Sequence, residues 1–292
     1  TLSLRTKQLE KSLLEIAKTN KELTRLDKLK DEFISTVSHE LRTPLNSILL
    51  LSKVLTENNE GNLNSEQVES AQVIWSSGTG LLTLIDEILD LSKIESGKMS
   101  LEVEQFFVSE LIGDLTQMFK PLTKEKGIKL CVESTLPENF RMKSDRLRLE
   151  QILRNLLSNA IKFTAQGSIT LRVNQSSSDG EAVMFSVQDT GIGISPEKQQ
   201  LIFEAFQQAD GSTRRRFGGT GLGLSISREI ARLLSGEIRV ESELGQGSCF
   251  TLVLPLEHAK AEENVLVNQD SPRETLNPES TVIKDPKSSN LP

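Results

Sequence analysis

Histidine, cysteine and aromatic residues are scarce in this 292-residue chain: two His, two Cys, one Trp and no Tyr. Cys131 and Cys249 lie far apart in separate apolar runs, so neither a disulfide framework nor a Cys-based metal site follows, and both read as small buried hydrophobes. Basic charge is also in deficit. The net charge is -7 and the pI about 5.2, which argues against a nucleic-acid binder; the local run Arg214, Arg215, Arg216 is an exception. No stretch approaches the roughly 18 apolar residues of a membrane span, and no basic-then-apolar signal opens the chain. Thr1 falls inside a helical pattern, so the sequence reads as a fragment: a cytoplasmic portion without direct membrane contact, whose parent is free to be membrane-bound.

What is present divides into four parts. Residues 1–30 lack Gly and Pro, and Leu9, Leu13, Ile16, Asn20 and Leu23 recur at spacings of four and three, a coiled-coil seam. Leu26 breaks the phase, which locally changes the supercoil. Residues 31–98 read as a helical hairpin. Its first helix runs past Pro44 to about Leu55 with a bend after His39. A polar loop spans Asn58–Asn64, and the second helix starts at Ser65. The expected inward stripe of that helix is Val73 or Ile74, Gly78, Leu81, Ile85, Ile88 and Ser92. Two copies of such a hairpin would complete a four-helix bundle.

Residues 99–256 change to an α/β texture. Strands are expected at Leu101–Phe106, Ile128–Val132, Ser168–Asn174, Ala182–Gln188, Glu237–Glu243 and Ser248–Leu256, and helices at Val108–Thr123, Asp145–Phe163 and from Gly223 through Leu234. That order gives a mixed sheet covered by helices on one face. Residues 257–292 lose aromatics, gain Pro, Asn, Ser and Glu, and read as a flexible tail or linker.

Four strings carry chemistry. His258 sits in the polar tail and reads as solvated; His39 lies in Phe33-Ile-Ser-Thr-Val-Ser-His39-Glu40-Leu-Arg42-Thr43-Pro44. An imidazole nitrogen can accept a phosphoryl group, and Glu40 beside it can take the proton; a packed or capped histidine is the plainer alternative. In Asp145–Thr164, Asn155 and Asn159 stand four apart on one helix face, with Lys162 further along. Two carboxamides and an ammonium suit Mg²⁺ and phosphate, although surface amides on a helix fit the same pattern. Asp189-Thr-Gly191-Ile-Gly193 follows a strand, where a carboxylate can read an adenine amino group; short Gly-x-Gly strings are also common turns. Gly219-Thr220-Gly221-Leu222-Gly223 leads into a helix whose free amides favour anions, and it is neither a Walker loop nor a Rossmann fingerprint.

The His39 string closely resembles the phosphorylation box of histidine protein kinases. The other three, with Phe203–Phe206 between them, resemble the N box, glycine boxes and F box of the ATP-binding domain that these kinases share with gyrase, Hsp90 and MutL. The segment Leu89-Asp90-Leu-Ser-Lys-Ile-Glu95-Ser-Gly97-Lys98 looks most like kinases of the hybrid type. The resemblance implies an α/β sandwich binding ATP with Mg²⁺, a lid from about Phe203 to Gly219, and a homodimer acting between an upstream sensor domain and a response regulator receiver domain. It further implies His39 as acceptor, Glu40 as base and Thr43 as the residue orienting water in dephosphorylation. Asn155 and Asn159 would organise Mg²⁺ and phosphates, Lys162 would contact phosphate and Asp189 would read adenine. Gly191, Gly193, Phe206, Gly219, Thr220, Gly221, Leu222 and Gly223 would complete the nucleotide site. Two other functions fit parts of the pattern: an ATP-operated clamp of the gyrase and Hsp90 class, and a silent dimeric scaffold.

Overall fold

The computed structural model describes residues 2–176, 182–207 and 220–257, without the side chains at 2–4, 6, 7, 9 and 10. The Leu9 side chain, the Arg214–Arg216 run and most of the expected lid, Gly219, His258 and nearly all of the tail therefore lie outside the described part. Among the described residues no helix is long and apolar enough to cross a membrane.

Helix α1 (Leu2–Glu57) is a single element that continues across Pro44. Pro44 has no amide hydrogen, so the Glu40 carbonyl loses its helical donor just beyond His39. The chain turns at Asn58, which takes φ 42° and grips Leu63 through both ends of its side-chain amide, at 3.1 Å each. Asparagine tolerates this left-handed backbone better than most residues. Helix α2 (Ser65–Glu95) then starts from a capping box: Asn64 accepts from the Gln67 amide at 2.9 Å, and Gln67 accepts from the Asn64 amide at 3.0 Å.

Ala71, Gly78, Ile85 and Ser92 of α2 are buried, one residue every two turns. Gly78 lets α1 come close, since a Cβ there would lie 2.8 Å from Leu49 Cδ2. The expected inward stripe holds at Gly78, Ile85 and Ser92 and needs correction elsewhere. Val73, Ile74 and Leu81 are 58%, 49% and 49% exposed, and Ala71, not foreseen, is buried. A single partner helix covers only the sevenfold row; the flanking apolar residues stay outside it. At the open end of the hairpin, Asp31 accepts from Ser92 Oγ at 3.0 Å and pairs with Lys98 at 2.7 Å, while Lys30 meets Glu95 at 3.2 Å.

Beyond Gly97, which turns the chain at φ +65°, come β1 (Glu104–Phe107), α3 (Val108–Glu125), β2 (Lys129–Ser134) and β3 (Arg141–Ser144). They are followed by α4 (Arg146–Phe163), β4 (Ser168–Gln175), β5 (Ala182–Asp189), α5 (Gly223–Leu233), β6 (Glu237–Glu243) and β7 (Gly247–Pro255), with short 3-10 turns at Pro196–Lys198 and Leu201–Phe203. The main sheet has the order β2-β4-β5-β7-β6, parallel only between β2 and β4. It is the mixed sheet expected. The first strand is shorter than Leu101–Phe106 and pairs with β3, a strand the sequence reading lacked, in a separate two-stranded sheet.

In β4 and β5 alternate residues are buried, so one face of the sheet is dry. Leu149, Ile152, Leu153, Leu156 and Leu157 of α4 and Leu111 and Leu115 of α3 fill that face, each at most 1% exposed. Asp145 fixes where α4 begins. It caps the helix by accepting from the Arg148 amide at 2.9 Å, and its second oxygen takes the Glu102 amide at 2.9 Å. The polar residues on the opposite side of α4 are thereby held at the rim of the sandwich.

Candidate nucleotide site

A cavity of 760 Å³ opens between α4, α5, the end of β5 and helix α2. Asn155, Asn159, Lys162, Asp189, Gly193, Thr220, Gly221 and Gly223 all line it. Gly191, Leu222 and Phe206 do not. Leu222 is fully buried in the core, and Phe206 is 66% exposed, although its amide holds the Gly221 carbonyl at 3.1 Å. The anchoring phenylalanine is instead Phe203, packed edge-on against Phe250 at 6.4 Å with the Arg228 guanidinium over its ring.

Asp189 ends β5 and is only 6% exposed. Burial pushes its carboxyl above the usual range, against the opposing pull of amide hydrogen bonds from Gly191 and Ser248. Gly191 supplies one of these at 2.8 Å. A side chain on Gly191 would strike the Phe163 carbonyl at 2.5 Å, and Gly193 crowds the Glu243 carbonyl in the same way with φ +68°. These glycines are thus needed first for backbone against backbone, and the Gly191 amide also anchors Asp189. Gly247, at φ +102°, backs directly onto the Asp189 carbonyl, a contribution that its position in the β6–β7 turn concealed.

At the other end, Asn155 Nδ2 donates to Ser227 Oγ of α5 at 2.9 Å, and Asn159 Nδ2 donates to Asn155 Oδ1 at 3.3 Å. This ties α4 to the first turns of α5. Gly223 opens α5 so near Asn155 that a Cβ there would run into Oδ1 and displace the carboxamide. Desolvation lowers the Lys162 pKa, and its ammonium lies 4.9 Å over the Phe163 ring. Carboxamide oxygens beside a helix N-terminus and an ammonium suit a phosphate chain and an oxygen-seeking cation such as Mg²⁺. The apolar wall of Ile192, Ile194 and Phe250 with Asp189 suits a flat base. The donor set fits ATP with Mg²⁺.

His39, Glu40 and Thr43 do not line this cavity. They are exposed on α1, with the Thr43 hydroxyl 3.4 Å from the His39 carbonyl. Arg42, on the same turn, pairs with Asp86 of α2 at 2.6 Å.

Two family models match these two regions. Residues 29–97 match the His Kinase A (phospho-acceptor) domain, and residues 144–258 match the histidine kinase-, DNA gyrase B- and HSP90-like ATPase. The chain is 42% identical to the autoinducer 2 sensor kinase/phosphatase LuxQ of Vibrio cholerae over 79% of its own length and 27% of that protein's. The chain belongs to the sensor histidine kinases. It is also 41% identical to the circadian input-output histidine kinase CikA of Synechococcus elongatus over 85% of itself and 32% of that protein. Full-length ShkA, solved in complex with AMPPNP, superposes with a TM-score of 0.64 at 35% identity, covering 79% of this chain and 47% of that one. The kinase chain thus spans about a third or less of its curated relatives' length.

The sequence did not reveal that α2 closes one side of the cavity. Gly80, Leu81, Thr83, Leu84 and Glu87 form that wall. Glu87 accepts a hydrogen bond from Thr220 Oγ1, which in turn accepts from the Leu222 amide at 3.2 Å. Burial raises the Glu87 pKa; the Thr220 hydroxyl pulls the other way, and the charge of Asp90 adds to the rise. Asp90, one turn on, accepts from Gln151 Nε2 at 2.8 Å and pairs with Arg148 at 3.4 Å.

Proposed function

We propose that this kinase core transfers the terminal phosphoryl group of ATP to His39 and then to an aspartate on a response regulator receiver domain. The observation that carries the reading is the single cavity joining Asn155, Asn159, Lys162 and Asp189, with His39 exposed on a separate helix. An acceptor on another element needs a mobile donor domain, and an exposed imidazole needs no local unfolding to be reached. The apportioning is 1–30 signalling helix, 31–98 dimerisation and phosphotransfer, 99–256 ATP binding and 257–292 linker. ThkA, solved with its response regulator protein TrrA and superposing with a TM-score of 0.53 at 28% identity over 61% of its length, supports the partner class.

Asp189 would accept a hydrogen bond from the adenine amino group, and Asn155, Asn159 and Lys162 with the Gly219–Gly223 loop would hold the phosphates. When bound at Asn155 and Asn159, Mg²⁺ supplies charge neutralisation on the phosphate oxygens. An unprotonated His39 ring nitrogen attacks the γ-phosphorus. A nitrogen–phosphorus bond forms, the bond from phosphorus to the bridging oxygen breaks, and ADP leaves with those electrons. Glu40 accepts the proton from the other ring nitrogen as the bond forms, leaving a neutral phosphoimidazole and a protonated carboxyl. Positioning carries most of the rate, since phosphoryl transfer asks little covalent chemistry of a protein.

Two copies of the hairpin would pair through Leu41, Ile48, Leu51 and Val54 on α1 and Val73 and Ile74 on α2, each at least 48% exposed in one chain. Such a run of apolar side chains marks an association face, and the coiled coil would bring an upstream sensor domain's signal to it. Thr43 would orient water in the reverse phosphatase reaction. Incubation with γ-³²P ATP and Mg²⁺ tests the reading: acid-labile, alkali-stable label is expected and His39→Gln abolishes it. Label that survives His39→Gln contradicts it.

A further inference from the structure

Glu87 belongs to the dimerisation hairpin, yet its carboxylate sits on the wall of the nucleotide cavity. Its partner, Thr220, lies in the glycine loop that leads into α5, whose N-terminal amides mark the phosphate end. Thr220 is braced by the Leu222 amide, and Asn155, Gly223 and Ser227 meet beside it. The grip of α2 has a second point. Glu87 and Asp90 are three residues apart, hence on one face of α2, and Asp90 engages Gln151 and Arg148 of α4 with both ion-pair side chains about four-fifths buried.

We propose that Glu87 makes the pocket discriminate between nucleotides: while α2 lies against it, the Glu87 carboxylate disfavours ATP relative to ADP, so that ATP loading and release of α2 are coupled. This rests on the nucleotide-binding reading above. A carboxylate and a terminal phosphate are both acceptors and both anionic. They compete for the Thr220 hydroxyl and for the positive end of α5, and in a half-dry cavity their repulsion is little screened. ADP lacks the terminal group and leaves the Glu87–Thr220 hydrogen bond intact. By reciprocity, whatever Glu87 takes from ATP affinity is what ATP contributes to freeing α2. The ATP-binding domain would then be released towards His39 only when it carries a transferable phosphate.

The test compares affinities of the whole chain for ADP and for a non-hydrolysable ATP analogue, both with Mg²⁺, in wild type, Glu87→Gln and Glu87→Ala. Glu87→Gln removes the charge and keeps an acceptor for Thr220, so it guards against a merely structural loss. Both variants are expected to bind the analogue about tenfold more tightly, a size typical of coupled sites, with ADP affinity unmoved. An unchanged or weaker analogue affinity overturns the proposal, as does an equal gain for both nucleotides, which would make Glu87 an unselective cover. Failure of the wild type to bind either nucleotide would instead overturn the nucleotide reading, and this inference with it.

Discussion

Gly78 and Gly80 stand two residues apart on α2, and replacing each by alanine should move the stability of the hairpin in opposite directions. At Gly80 a Cβ would meet nothing within 4 Å. The substitution therefore gains only the helix-propensity difference, about 1 kcal/mol. At Gly78 the same atom would lie 2.8 Å from Leu49 Cδ2, 3.4 Å from Leu49 Cγ and 3.5 Å from Leu45 Cδ1, where α1 crosses. Overpacking of this kind costs about 1–3 kcal/mol. Set against the same ~1 kcal/mol gain, the net is a loss of about 1 kcal/mol. Trp75, the only tryptophan and half-buried on the same helix, gives a local signal with no tyrosine background. With a urea slope of about 2 kcal/mol per molar, Gly80→Ala should raise the Trp75 unfolding midpoint by about 0.5 M. Gly78→Ala should lower it by a similar amount. Both are read at one fixed protomer concentration, because association adds its own stability. A midpoint that rises for Gly78→Ala as it does for Gly80→Ala would refute the close crossing.

Asp189→Asn should abolish nucleotide binding while stabilising the folded chain, both readable by calorimetry with and without ATP. The folded-state pKa of Asp189 is raised, so the native chain holds its proton more tightly than the unfolded one; the cost of the buried charge sets in as pH rises from the ordinary carboxylate value through the folded one. The asparagine variant should lose that segment of pH dependence, and an identical pH profile would count against the assignment. Thr43→Ala should slow loss of phosphate from a labelled regulator by more than it slows labelling of His39, measured on the same preparation; equal slowing would remove Thr43 from the water-orienting role.

Periodicity made most of the fold legible. The capping sequence Asn64–Gln67, the amphipathic run from Arg146 and the alternation of β4 and β5 are local signals, and local physics decides those elements. What was missed depends on distant partners. The strand Arg141–Ser144 is four residues long, and its identity as a strand comes from pairing with Glu104–Phe107. Val73, Ile74 and Leu81 have the right spacing for a buried stripe, but within one chain α1 covers only the row Ala71, Gly78, Ile85 and Ser92. The spacing of Gly191 and Gly193 suggests a turn or room for a ligand, and Gly247 sits at a hairpin turn. In the fold they make close approaches to the carbonyls of Phe163, Glu243 and Asp189, which no spacing encodes. Glu87 was invisible for the same reason. A glutamate on a helix face announces nothing until Thr220, over a hundred residues later, is placed opposite it.

On this mechanism His39 takes phosphate from ATP. The most direct measurement is to incubate the chain with ATP and Mg²⁺, digest it at neutral to alkaline pH, and locate the modification by electron-transfer fragmentation mass spectrometry. A phosphoryl group on the imidazole of His39, absent when ADP replaces ATP, is the predicted result. Phosphate confined to serine or threonine, or a chain that hydrolyses ATP while His39 stays bare, would contradict it.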